Sequence, residues 1–225
     1  MGTVTIQGQT TRYPYELIGM EAGICYGADT KNDEKNRRRG IECLKNNHGR
    51  TLEFVQVFMI LDGYSARVMR EFYTHIGGAP TRLQSSTRYI DYTSFDYYTP
   101  DSILYNDAAK HEYDKAMKFL SGTATMLEGL DIPREDIANL LPLGMTTTVV
   151  VRTNLRNLID MSHQRLCTRA LKEYRGLMYD IMKALCDYSN EWEDIINHCF
   201  VPKCDLLGYC PEKNGCGRHP KKENE

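Results

Sequence analysis

The hydrophobic pattern divides the chain into segments of two kinds. Leu52 to Leu61 (LEFVQVFMIL) is dense in β-branched and aromatic residues, which predicts a buried strand. Thr146 to Val151 (TTTVVV) predicts another. Tyr15 to Cys25 is apolar-rich, runs toward Gly27, and also reads as a strand. Tyr89 to Tyr92 reads as a short one. Helical spacing appears elsewhere. Lys31 to Lys45 is polar, with Ile41 and Leu44 at i, i+3. Ser65 to His75 groups Val68, Met69, Phe72 and Tyr73 on one face, and Asp107 to Leu127 predicts a long helix. Asp131 to Asp136 has the composition of a helix start: Asp131 as cap, Pro133 in the first turn, acids near the positive end of the dipole. That helix should end near Leu141-Pro142. Thr153 to Asp187 is helical, with a break expected near Gly176.

Punctuation sets the organisation. Asp62-Gly63 marks a break, and Gly77-Gly78-Ala79-Pro80 must be a loop. From Pro202 the chain is rich in Gly, Pro, Cys and Lys and reads as irregular. The expected division is one domain over residues 1–201 and a tail over 202–225. Strands and long helices follow in no regular βαβ order. That predicts an α+β fold with a central, mostly antiparallel sheet.

At 225 residues the chain suits one sizeable domain. Hydrophobic residues make up 41% and charged residues 26%, ordinary for a globular protein. The formal net charge of −2 gives no general attraction to nucleic acid or anionic lipid, so neither partner is expected and any basic site must be local. Met1 to Gly8 lacks the charged start and apolar run of a signal peptide, and no apolar run approaches a membrane span. A cytoplasmic location, with reduced thiols, is the expectation. His111 and the run Arg37-Arg38-Arg39 read as solvated.

Of the eight cysteines, Cys25, Cys43, Cys167 and Cys186 fall in periodic segments and read as small core residues. His198-Cys199, Cys204, Cys210, Cys216 and His219 crowd toward the end of the chain. Their spacings are looser than the paired knuckles of a standard zinc site. A structural metal or redox clip is one reading, and an ordered tail with free thiols is the other. The spacing favours the second, so no metal ligand is assigned.

The chemistry concentrates between Thr74 and Tyr92 (THIGGAPTRLQSSTRYIDY), which is rich in hydroxyls and arginine and contains a flexible Gly pair. Hydroxyls, backbone N–H groups and guanidinium groups are what a phosphate needs. A solvated loop is the plainer reading for any single residue here, less so for the cluster between apolar segments.

Gln84-Ser85-Ser86-Thr87-Arg88-Tyr89 resembles the end of the signature motif of flavin-dependent thymidylate synthases. His75 takes the place of the motif's central His, with two residues inserted in the Gly-Gly loop and Thr74 and Ile76 in place of the flanking arginines. Two further blocks are similar to that family. His48-Gly49-Arg50-Thr51-Leu52-Glu53 matches a His followed at fixed spacing by Glu. Asn154-Leu155-Arg156, Asp160 and Arg165 match a polar helix, with Asp160 replacing an Asn. Leu141-Pro142 also fits, although Ala138 stands where the family has Arg.

The resemblance implies an FAD enzyme that converts dUMP to dTMP. Methylenetetrahydrofolate would be the carbon donor, NADPH the reductant of the flavin and a homotetramer the working form, with no cysteine nucleophile. It implies dUMP binding by Gln84, Ser86, Arg88 and Arg165, with Arg165 polarising the pyrimidine. It implies FAD binding by His48, Thr51, Glu53, His75, Asn154, Arg156 and Asp160. Helical geometry adds that Asn154 and Arg165 share one face, about 20° apart, while Arg156, Asp160 and His163 group opposite. That suits a helix between two clefts or two chains. An ordinary Arg156–Asp160 surface pair is the plainer alternative. Two other functions compete: a dUMP hydroxymethylase on the same fold, and a zinc-containing nucleic-acid-binding protein.

Overall fold

The computed structural model describes residues 2–222. The first strand, β1 (Thr3–Ile6), leads into α1 (Pro14–Cys25) and α2 (Asp33–Lys45). A 3-10 turn at Thr51–Glu53 precedes β2 (Gln56–Ser65), α3 (Ala66–Phe72) and β3 (Thr81–Gln84). Then come α4 (Asp101–Leu104), α5 (Asp107–Glu128), α6 (Arg134–Ile137) and a 3-10 turn at Ala138–Leu140. The chain continues through β4 (Thr146–Asn154), α7 (Leu155–Arg165), α8 (Lys172–Tyr188), α9 (Asn190–Cys199) and α10 (Lys203–Leu207). The four strands form one sheet in the order β1-β2-β4-β3, antiparallel throughout.

The sheet's core face follows the two-residue period of strands. Val57, Met59 and Leu61 of β2 and Val149 and Val151 of β4 are buried. Against them pack Tyr174, Leu177, Met178, Ile181 and Leu185 of α8, at helical spacing. Trp192 and Ile195 of α9 complete this core. Glu173 fastens α8 to the end of β2, because its carboxylate accepts from the Ser65 N–H (2.7 Å) and hydroxyl (2.6 Å).

The expected strand from Tyr15 to Cys25 is a helix. Pro14 opens it, and the buried residues Tyr15, Ile18 and Ala22 follow helical rather than alternating spacing. Its glycines let it press onto α2: a Cβ at Gly19 would lie 1.8 Å from the Asn36 carbonyl oxygen, and one at Gly40 would lie 2.0 Å from that of Tyr15. Arg37 and Arg39 are not free surface charges. Arg37 pairs at 2.9 Å with the buried Glu191 of α9, which also accepts from the Tyr15 N–H, and Arg39 donates to the Gly19 carbonyl.

Other boundaries also differ. Asp62-Gly63 is a bulge inside β2, not a break: pairing with β4 shifts register between Leu61 and Tyr64, and Gly63 turns at φ 74°. The edge strand of this region is Thr81–Gln84, while Tyr89–Tyr92 is irregular. Asp131 does not cap a helix. It has φ 58°, and the short α6 starts after Pro133. The long helical segment is broken at residues 166–171, and Gly176 lies within α8. The α9 helix went unread in the sequence. No helix among the described residues is long and apolar enough to cross a membrane.

The close α1–α2 contact gives a test. Gly40→Ala should cost about 1–3 kcal/mol, because backbone rather than a flexible side chain must move. Gly122→Ala in α5, where a Cβ meets nothing within 4 Å, should be neutral or gain up to about 1 kcal/mol. Equal thermal unfolding midpoints for the two variants would refute this packing.

Candidate functional site

The α7 helix organises the site, and the first cluster gathers at its C-terminal end. The chain leaves α3 through Tyr73 and Thr74 into His75, which is buried. Arg165 donates from Nε to His75 Nε2 at 3.0 Å and from Nη1 to Glu71 Oε2 at 2.8 Å. Its guanidinium lies 4.5 Å from the centre of the Tyr174 ring, on which His75 stacks at 6.0 Å. Three groups thus fix the guanidinium plane, and Nη2 makes no hydrogen bond among the described residues. Since His75 Nε2 accepts, the ring is neutral with its proton on Nδ1. Burial, with the positive charges of Arg165 and Arg82, brings the His75 pKa down to about 4.

Arg82 of β3 supports the same corner. It donates to the carbonyls of Tyr73 (3.3 Å) and His75, and its guanidinium covers the Phe72 and Tyr73 rings at 5.3 and 5.1 Å. The loop then runs to the other end of α7. Asn154 caps that helix, its side-chain oxygen accepting from the Asn157 N–H at 2.9 Å. Gly78, at φ 67°, passes so close that a Cβ would lie 1.8 Å from Asn154 Nδ2. Ala79 follows at φ 48°, a strained position for a residue with a side chain, and its carbonyl accepts from Arg152 at 3.1 Å.

A second cluster lies on the exposed side of α7. Arg156 pairs with Glu53 at 2.6 Å. It does not pair with Asp160, which is exposed and forms no hydrogen bond or ion pair among the described residues. Thr51 donates its hydroxyl to the His48 carbonyl at 2.8 Å, closing the 3-10 turn that carries Glu53. Gly49 eases the approach, since a Cβ there would make a tight 3.3 Å contact with the Arg156 guanidinium. His48, Thr51, Glu53 and Arg156 therefore lie on one surface, a part of the set that the resemblance implied. Asn154 is turned inward instead. It precedes the helix with extended backbone, so its place on the helical wheel does not give its direction.

The third group is the loop after β3. Gln84 Nε2 lies 3.4 Å from Thr147 Oγ1, and Ser86 Oγ accepts from the Arg88 N–H at 3.2 Å. Arg88 pairs with Glu135 at 2.8 Å, with both side chains more than half exposed. Such a pair contributes about 0–1 kcal/mol, so it leaves Arg88 free to exchange partners.

Glu71, Arg82 and Tyr174 were not singled out in the sequence. Arg82 had a signal: it alternates with Gln84 along one face of β3. Glu71 and Tyr174 had none, because Glu71 sits in an amphipathic helix like any surface acid and Tyr174 reads as core. The cysteine-rich tail is ordered. Cys204, Asp205 and His219 meet there, with donor atoms within 4.8 Å of one another. Asp205 gave no sequence signal. Cys216 has a lowered thiol pKa, through hydrogen bonds involving Thr168 and the Arg218 backbone.

The state of His75 links stability to pH. Its folded pKa of about 4 lies below the unfolded value of 6.5, so the unfolded chain binds more protons between them. The contribution is fully present above pH 6.5 and is lost as pH falls toward 4, by up to about 3 kcal/mol. His75→Gln should flatten this dependence in urea unfolding between pH 4 and 6.5. An unchanged slope would show that His75 does not titrate in this way.

The family model described as thymidylate synthase complementing protein matches residues 9–188. A flavin-dependent thymidylate synthase of Nitratidesulfovibrio vulgaris is 28% identical, covering 80% of this chain and 76% of its own. One of Pyrococcus furiosus is 26% identical, covering 100% of this chain and 97% of its own. The fold is similar to that of thymidylate synthase X of Helicobacter pylori, crystallised with FAD and dUMP. The TM-score is 0.66 at 18% identity, over 88% of this chain and 100% of that one. The matched region takes in all three groups around α7 and β3 and stops before the cysteine tail; with most of its length covered, the chain belongs to the thymidylate synthase complementing protein family.

Proposed function

We propose that this chain is a flavin-dependent thymidylate synthase. It converts dUMP to dTMP, with methylenetetrahydrofolate as carbon donor and NADPH as reductant. The observation that carries the reading is the fixed Arg165 guanidinium, with Nη2 left over, in a chain whose family match spans that residue. A cation held before substrate arrives stabilises charge that develops during reaction without reorganising. Arg165 would polarise the pyrimidine by accommodating negative charge on the ring.

The phosphate end of dUMP falls to Arg88, whose planar fork suits bidentate binding and whose present partner is a weak exposed pair. Ser86 supplies a hydroxyl beside it. Gln84, a neutral amide, offers a donor and an acceptor for the uracil or ribose. FAD, when bound and reduced, supplies the hydride. The surface of His48, Thr51, Glu53 and Arg156 fits such a cofactor, because it joins a guanidinium, a hydroxyl and a carboxylate at a point where Gly49 lets the backbone come close. Asp160 extends it along α7. His75, neutral and stacked, would position the side nearer Arg165, and Asn154, through the Gly78 loop it supports, the side at the other end of α7.

A homotetramer with shared sites accounts for two features. The exposed surface of α7 with Arg156 and Asp160 lies away from the corner holding His75 and Arg165. The long α5 buries only Met117 and Ala124, leaving Phe119 and Met126 exposed.

Purified protein should bind FAD, seen as flavin absorbance and in fluorescence titration; no binding would end this reading. Arg88→Ala should weaken dUMP binding by roughly 30- to 150-fold, the equivalent of about 2–3 kcal/mol, and leave FAD content intact. Unchanged dUMP affinity by calorimetry would exclude Arg88 from the site. Mixing inactive Arg88→Ala and Arg165→Ala chains under subunit exchange should restore activity if the two residues reach one site from different chains. Activity that stays absent after confirmed exchange would place them on the same chain.

A further inference from the structure

Residues 203–222 hold a defined shape with no buried residue among them. The short α10 ends at Gly208 in the left-handed conformation. The chain then turns back, so that Cys210 bridges Lys221 and its N–H donates to the Pro220 carbonyl at 2.7 Å. Leu206 and Leu207 of α10 remain exposed. A segment this short, without an apolar core, needs another source of stability, such as a disulfide, a metal or contact with a partner chain. All eight cysteines are free thiols.

Cys204, Cys210, Cys216 and His219 line one cavity of about 510 Å³ between the tail and the connection from α7 to α8. The donor atoms of Cys204, Asp205 and His219 lie within 4.8 Å of one another, and Cys210 and Cys216 line the same cavity outside that group. Ligands on a tetrahedral zinc stand about 3.5 Å apart, so a small contraction seats Cys204 and His219, while Cys210 and Cys216 must move further in across the cavity. His219 is already oriented for the role. Its Nε2 contacts Asp205 Oδ1 at 2.8 Å, and Arg218 holds Oδ2 at 2.7 Å. A carboxylate on one ring nitrogen fixes the tautomer and presents the other to a metal.

We propose that the tail is a structural zinc site, with Cys204, Cys210, Cys216 and His219 as ligands and Asp205 as the group that orients His219. Three thiolates and an imidazole select a borderline-soft divalent cation in a closed tetrahedral site. The ion supplies the crosslink that the tail's missing core does not. It holds the tail against the connection after α7, where Arg169 already donates to the Asn214 carbonyl at 2.9 Å. Arg165 lines the same cavity, but the zinc site needs no flavin and no nucleotide, so metal content tests it independently of the catalytic reading.

The test is metal analysis of the full-length protein purified without chelator. One zinc per chain is expected, and cobalt exchanged into the site should show thiolate-to-metal charge-transfer absorption with tetrahedral bands. Cys204→Ser, Cys210→Ser and Cys216→Ser should each lose the zinc, while Cys25→Ser should keep it. Asp205→Asn should keep the site but bind zinc about 10- to 100-fold more weakly. Should a cysteine variant fail to fold, chelation of the wild-type protein gives the same answer: zinc release should expose the tail to limited proteolysis while FAD binding persists. Metal-free protein whose tail resists proteolysis would overturn the proposal, as would a mass two hydrogens lower per cysteine pair, the mark of disulfides.

Discussion

The guanidinium of Arg165 is the point on which the site depends. A charge taken this far from water is costly unless it is paired and hydrogen-bonded. The cost is met by Glu71, by a neutral His75 and by the face of Tyr174. These partners come from α3, the loop after it and α8, and Arg165 itself ends α7. The positions of four segments are thereby coupled to one cation. The same coupling explains the state of His75: between two guanidinium groups and out of water, an imidazole stays neutral.

Close approach of backbone is the second constraint. The loop from His75 to Pro80 spans α7 from its C-terminal corner to its cap, and only a residue without a side chain can pass Asn154 as Gly78 does. Gly19 and Gly40 do the same where α1 meets α2, and Gly49 relieves a milder 3.3 Å contact beside Arg156. Glycines therefore set how near the polar groups of the site come to one another, while the sheet and α8 supply the rigid base behind them.

The periphery is built on different physics. Exposed ion pairs such as Arg88–Glu135 contribute little to stability and exchange readily, which suits groups that meet a ligand. The tail has thiols and a histidine where a core would otherwise be.

The sequence by itself determined the strands β2 and β4, the long α5, the α+β class and the blocks that resemble the family. Each is a local property: dense β-branched residues, helical period, or residue types at fixed spacing. It also determined that His48, Thr51, Glu53 and Arg156 belong together, through the resemblance. Tertiary structure decided what local pattern leaves open. The apolar run at Tyr15–Cys25 could be strand or helix until it packed on α2, and the polar Thr81–Gln84 became a strand only by pairing with β4. Glu71 and Tyr174 joined the site, and Asn154 turned inward, because partners distant in the chain fixed their directions. A hydrogen bond between residues 71 and 165 has no signature in either neighbourhood, since its energy exists only once the fold has brought the two together.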